Sequence, residues 1–195
     1  LKDKFKTMKQ EIIRKALVLL GSNSGALQNS GSKISKAENL CEEFVTAAIE
    51  ETFIAVKWPF ALKRVDNVES DIEAGKFKEI EGVDDCMKVA VIAPSNLEWY
   101  VEAGRIYFKG RKLDSLFYYS KRNLEHLLNN DKAYVRQVPE SFKLLSSLSL
   151  VSQISFAMYS DSLFADGLKK QYLIKLDEVR RIYSVDYNLV NSGTL

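Results

Sequence analysis

The chain has 195 residues, 46% of them hydrophobic and 28% charged, a globular composition that can bury a substantial core and excludes a mainly disordered chain. Its net charge of +2 demands no polyanion as partner, and apolar runs such as residues 16–20 fall far short of the roughly 18 residues that a membrane span needs. Two cysteines remote from each other and a single histidine leave no short Cys/His spacing, so Cys41 and Cys86 read as buried free thiols in a reducing compartment.

The first ten residues, LKDKFKTMKQ, are basic but lead into a short apolar stripe without a small-residue cleavage pattern. That disfavours a secretory signal and predicts a chain made and used in a cytoplasm. Phe5, Met8, Ile12, Ala16 and Leu19 recur at helical spacing, which predicts a helix over 2–20 closed by Gly21. The stretch 21–32, GSNSGALQNSGS, reads as a flexible loop. Ser35 followed by Glu38 fits a capping box for a second helix over 36–57, about 33 Å long at 1.5 Å rise per residue. Phe44, Ala48, Ile49, Phe53 and Val56 mark its apolar face. The helix should end near Trp58, because Pro59 lacks the N–H of a helix interior and pushes its predecessor toward extended geometry. Trp58 and Phe60 then set two rings at the helix exit, ahead of the basic pair Lys63-Arg64. Taken alone, such rings read as a plug sealing a helical core.

Residues 66–82 are polar and read as loop or weak edge strand. Three runs follow, CMKVAVIA at 86–93, WYVEAGRIYFK at 99–109 and LFYY at 116–119, rich in β-branched and aromatic residues with turn residues between them. They predict a small antiparallel meander with Lys109-Gly110-Arg111-Lys112 near a solvated hairpin turn. Helical pattern returns with a short helix over 123–129. A long helix then starts at Pro139 and shows Phe142, Leu145, Leu148, Ser152 and Phe156 on one face, with Leu144, Leu150, Val151 and Ile154 off that stripe, so it should be the most buried. Ser160 and Asp161 cap a last helix through Leu163, Phe164, Leu168, Tyr172, Leu176, Val179 and Tyr183, whose opposite face carries Lys169, Lys170, Glu178, Arg180 and Arg181. The pattern fades over 188–195, a tail that frays or awaits a partner. The expected fold is therefore α+β and mainly α. It is an antiparallel bundle of two N-terminal and two C-terminal long helices with a small antiparallel β insertion, all in one domain: helices over 1–64, insertion over 65–120, helices over 121–187 and flexible tail over 188–195.

Chemistry is sparse. His126, the sole histidine, would have to serve any hydrolase triad, yet there is no GxSxG elbow. One histidine and two remote cysteines leave only carboxylates for a metal, without EF-hand spacing, and Asp84-Asp85 reads as a solvated turn before a strand. Gly21-Ser22-Asn23-Ser24-Gly25 follows a helix rather than a strand and lacks a GK[ST] ending, which rejects it as a phosphate cradle. Lys2, Lys6 and Lys9 share a helical face whose default reading is solvation. No enzyme activity, cofactor or metal is expected.

Several stretches together resemble one family. Residues 16–21, ALVLLG, look like an Ala-Leu-rich first-helix ending that closes on Gly, and Trp58-Pro59-Phe60-Ala61 looks like an aromatic helix exit before basic residues. Asp85-Cys86-Met87-Lys88-Val89 is similar to an Asp-Cys-Leu-Arg-Val strand start, and residues 100–106, YVEAGRI, look like the Val-Glu-Gly-Gly turn that follows it. In this order they resemble the tail tubular protein A and head-to-tail adaptor family of tailed bacteriophages, over residues 16–187. The chain departs from that pattern at Gly82-Val83, where members carry Leu-Pro, and in a third long helix rich in Ser and Leu rather than Ala.

The resemblance implies a structural virion protein: a ring, usually of twelve copies, beneath the portal at the head–tail junction, assembled in the host cytoplasm. It would extend the DNA channel and meet the tail nozzle or other tail proteins, passing double-stranded DNA without sequence specificity and without contact to a membrane. The interaction residues implied are Trp58, Phe60, Lys63, Arg64, Arg180, Arg181, Tyr187, Asn188, Leu189 and Val190. The rings would be core or subunit-contact anchors, the basic pair would face portal or DNA, and the tail would become ordered on the portal. The alternative is a cellular helical protein–protein interaction module that forms no ring. Glycan hydrolysis through His126 or clustered carboxylates, and sequence-specific DNA binding, have less in their favour.

Overall fold

A computed structural model describes residues 7–23, 31–69, 75–158 and 162–190. The fold is α+β, with six helices and two small antiparallel sheets among the described residues, in two compact units. Leu1–Val56 and Leu128–Leu195 make one unit, and Lys57–Leu127, inserted between them, makes the other.

The first unit is helical: α1 (Met8–Asn23), α2 (Gly31–Ala55), α4 (Lys132–Val135), α5 (Glu140–Met158) and α6 (Ser162–Val190). Its core follows the helical period. Met8, Ile12, Ala16 and Leu20 are buried from α1, and Ala165, Leu168, Tyr172, Leu176 and Val179 from α6. Helix α5 packs against α1, α2 and α6. Three neighbours bury it on most sides, so Leu145, Leu150, Val151 and Ile154 all find cover, and buried Ser146, Ser147, Ser149 and Ser155 occupy positions where a larger side chain would hold a neighbour away. The Ser147 hydroxyl bonds the Lys143 carbonyl within α5 and the Ile12 carbonyl of α1, whereas Ser146 Oγ is buried without a partner, at a cost in stability. Glu51 of α2 meets Ser149 and Gln153 of α5 while Lys36 meets the Ala157 carbonyl, so these helices run antiparallel.

The second unit carries β1 (Leu62–Glu69), β2 (Lys78–Glu79), β3 (Cys86–Ala93), β4 (Glu98–Glu102), β5 (Arg105–Lys109) and β6 (Lys112–Ser120), then most of α3 (Lys121–Leu128). One sheet has the order β1-β6-β3 and the other β2-β5-β4. As the middle strand, β6 buries every residue from Leu116 to Ser120. Ile80, Val83, Cys86, Ile106, Phe108, Leu113, Leu116 and Tyr118 form a core cluster drawn from both sheets.

Several expectations are corrected. Helix α1 runs through Gly21 to Asn23, and α2 begins at Gly31, which puts Ser35 inside the helix rather than at its cap. The β region opens at Leu62, ahead of the expected insertion, because the chain past Pro59 pairs with β6 almost at once. Residues 109–112 join strands of different sheets instead of closing a hairpin in one meander, since β5 and β6 take different partners. A short α4 follows Asp131, whose side chain accepts the Ala133 N–H, and with α3 it makes the arrangement more than two helices plus two. Phe156, expected on the buried face of α5, is 54% exposed near the helix end. The α6 backbone stays helical to Val190, so Asn188, Leu189 and Val190 end a helix rather than begin a loose tail. Lys2, Lys6, Ser160, Asp161, the centre of the 21–32 loop and the last five residues lie outside the described residues. Among the described residues, no helix is long and apolar enough to cross a membrane.

Candidate functional site

The residues expected to make contacts fall into both units. Trp58 is completely buried and Phe60 nearly so, their ring centroids 6.0 Å apart at 31°. The Ala61 N–H bonds back to the Trp58 carbonyl and turns the chain past Pro59 into β1. Lys63 donates to Asp85 at 2.8 Å. Arg64 pairs with Asp66 at 2.7 Å and holds its guanidinium 5.3 Å from the Phe117 ring centroid. In the helical unit, Arg180 donates to the Ala55 carbonyl at 2.9 Å, and Arg181 pairs with Asp177 one turn earlier. Tyr187 lies with Asn188, Leu189 and Val190 on the final turn of α6.

Of these residues, Lys63 leads to a site that the sequence reading missed. Asp85 is 6% exposed, not a solvated turn residue. Its carboxylate accepts from Lys63 of β1, from the Tyr118 hydroxyl at 3.1 Å and the Ser120 hydroxyl, both of β6, and from the Arg122 N–H of α3 at 3.4 Å. Its main-chain carbonyl takes the Lys121 N–H at 2.7 Å, and Ser120 Oγ takes the Asn123 N–H at 3.2 Å. The first amides of α3, which have no intrahelical acceptor, are thereby satisfied by a carboxylate, a carbonyl and a hydroxyl. Burial alone would raise the Asp85 pKa. The hydrogen bonds from Lys63 and Ser120, the Lys63 charge and the Arg122 amide outweigh it and hold the carboxyl below its ordinary value.

Neighbouring groups lock the same corner. Both carboxylate oxygens of Asp84 accept from a single guanidinium nitrogen of Arg122, Nη2, at 2.8 and 2.6 Å, and the Gly104 carbonyl accepts the Cys86 N–H at 2.9 Å. A Cβ at Gly104 would lie 2.7 Å from the Asp84 carbonyl oxygen, at a φ of +80° that favours glycine. A carboxylate whose oxygens are taken up by donors from β1, β6 and α3 ties those elements together as a structural clamp.

Two polar clusters tie the helical unit together. Glu51 of α2 accepts from Ser149 at 2.6 Å, Gln153 at 2.8 Å and Tyr172 at 2.9 Å, joining α2, α5 and α6. Glu140 pairs with Lys15 at 2.5 Å and Lys143 at 2.9 Å, and these hydrogen bonds, Lys15 first, pull its pKa down to about 2. Glu11 and Arg14 complete the lining of an open depression of about 330 Å³ here, whose charges largely cancel. Burial pushes the Cys41 thiol up to about 12 and the Cys86 thiol up to about 11, which leaves neither poised as a nucleophile. His126 is exposed on α3, and no His, Cys, Asp and Glu side chains gather as a metal site among the described residues.

Exposed apolar side chains lie on α6, at Leu163, Leu173, Ile174 and Ile182, and exposed aromatic ones on the β2-β5-β4 sheet and the residue before it. Tyr100 stacks on Tyr107 at 4.8 Å, Phe77 meets Tyr100 edge-on at 5.0 Å, and Lys109 sits 5.9 Å from the Phe77 ring centroid. Glu79 neutralises Arg105 at 3.3 Å and Glu98 neutralises Lys109 at 3.0 Å. Aromatic rings that stay wet while their charged neighbours are paired form a surface suited to another protein. No protein-family model matches the chain, and no curated protein matches it.

Proposed function

We propose that this chain is a structural assembly protein, a subunit of a ring-shaped head-to-tail adaptor that carries the DNA channel from portal to tail in a virion. The observation that supports this most is the self-neutralised β unit. Lys63, Arg64, Arg105, Lys109, Lys112 and Arg122 each have an acid within 3.3 Å, so these six cations are already engaged. A wall that lets DNA slide needs little free positive charge, because each phosphate neutralised adds salt-dependent affinity.

The order of elements also fits the resemblance. Long helices α1 and α2 precede the β unit and α5 and α6 follow it, with Asp85-Cys86 opening β3 and Gly104 in the turn between β4 and β5. In this reading the four long helices form the ring wall. The last turn of α6, with residues 191–195, reaches the portal. Twelve copies is the number the resemblance carries.

The test is the light-scattering mass of the purified chain, alone and mixed with a candidate portal from the neighbouring genes. A rise from monomer to a stoichiometric ring on the portal is expected, and removal of residues 188–195 should weaken it. If no such portal binds, the adaptor reading falls and a helical interaction module without a ring replaces it.

A further inference from the structure

The edge of the second sheet bears a more specific partner code. Strand β4 has β5 on one side and, among the described residues, no strand on the other, and all five of its residues are exposed. Its centre, Trp99-Tyr100-Val101, stays 41%, 40% and 36% exposed. Glu98 and Glu102 stand at its two ends. Bare strand edges offer unpaired backbone groups, and proteins blunt them with charge, proline, bulges or a cover. Two glutamates would serve as blunting charges, yet a purely defensive edge has no use for three consecutive large side chains left wet between them.

The register with β5 shows what such a strand accepts. Glu98 faces Lys109, Trp99 faces Phe108, Tyr100 faces Tyr107, Val101 faces Ile106 and Glu102 faces Arg105. The matching sequence is thus basic, apolar, aromatic, apolar, basic: Arg-Ile-Tyr-Phe-Lys. A second strand at the free edge meets the same five side chains from the other side. Another copy of β4 does not fit, because antiparallel pairing about Tyr100 sets Glu98 against Glu102 at both ends, and parallel in-register pairing sets each glutamate against itself.

We infer that the free edge of β4 docks an extended segment of a partner protein, with basic residues four apart that flank an apolar-aromatic-apolar triplet. The backbone ladder would supply affinity. Glu98 and Glu102 would choose the partner by charge, while Trp99 and Val101 on one face and Tyr100 on the other would choose it by shape. This inference does not rest on the adaptor reading, since any partner with that pattern satisfies it.

The probe is a labelled peptide with Arg-Ile-Tyr-Phe-Lys at its centre, titrated into the full chain beside a charge-reversed peptide centred on Glu-Ile-Tyr-Phe-Glu. Binding should shift Trp99 fluorescence, and the reversed peptide should bind about tenfold more weakly, as two lost pairs and two new repulsions require. In a Glu98→Lys/Glu102→Lys variant the order of preference should invert, a gain that mere loss of folding cannot imitate. Amide exchange should slow on β4 while β5 keeps its protection. Equal binding of both peptides, no binding by either, or deprotection of β5 through strand exchange would each overturn the proposal. So would self-association of the chain alone that the same double substitution abolishes, because the occupant would then be a second copy.

Discussion

A carboxylate surrounded by donors couples folding to pH, and Asp85 is the clearest case in this chain. Its folded pKa lies below the ordinary value, so the folded state takes up its proton later than the unfolded state as pH falls. The stabilisation is complete above the unfolded value near about 3.9 and disappears as pH drops through the lower folded one. Asp85→Asn should therefore flatten the loss of urea resistance as pH falls below about 4, relative to the parent chain. A parallel acid limb would show that Asp85 is not what titrates. At neutral pH, Asp85→Ala removes an acceptor shared by Lys63, Tyr118, Ser120 and the start of α3. It should cost about 3 kcal/mol in urea unfolding, the scale for breaking a buried pair whose cation keeps some access to water.

The strand-to-turn junction makes the corresponding point for elements. Gly104 lies between β4 and β5 at positive φ, with the Asp84 carbonyl where a Cβ would go. Gly104→Ala should lower the urea midpoint by an amount equivalent to about 1–3 kcal/mol, since left-handed strain and a clash with backbone act together. Gly82→Ala, also at positive φ but with nothing within 4 Å of its Cβ, should cost less, and equal costs would remove the steric part of the account. Elements of this chain were legible where their signal is local. The spacing of Met8, Ile12 and Ala16 marks a buried helix face within a few residues, and Pro59 marks the end of α2. Sheet partners were not legible. Whether β6 joins β5 in a hairpin or lies between β1 and β3 depends on residues far apart in the chain, and no local pattern encodes that choice. Asp84-Asp85 was misread for the same reason: a pair of acids before a strand looks identical whether it faces water or donors 22 to 37 residues away.

At the scale of the whole molecule, the decisive feature is that Lys57–Leu127 is continuous in sequence and holds its own core. The helical unit is discontinuous, formed from both ends of the chain, and α5 must recruit α1 and α2 across the insertion. Loop-closure entropy grows only slowly with the length of what is inserted, so the helical unit tolerates this arrangement at modest cost. The β unit carries a further consequence. Its hydrophobic core, the Asp85 clamp and the Trp58–Phe60 pair all belong to one contiguous segment, so it should fold when expressed alone. A piece of this size without disulfides is expected to be marginal, at about 3–5 kcal/mol or less. Dispersed amide resonances and a cooperative thermal transition in the isolated segment would bear this out, and Asp85→Ala should abolish that transition before it abolishes folding of the full chain. An isolated segment that stays collapsed but unstructured would mean that the β unit depends on the helices, and the clamp would then be a seal for a larger cooperative fold rather than the keystone of an independent one.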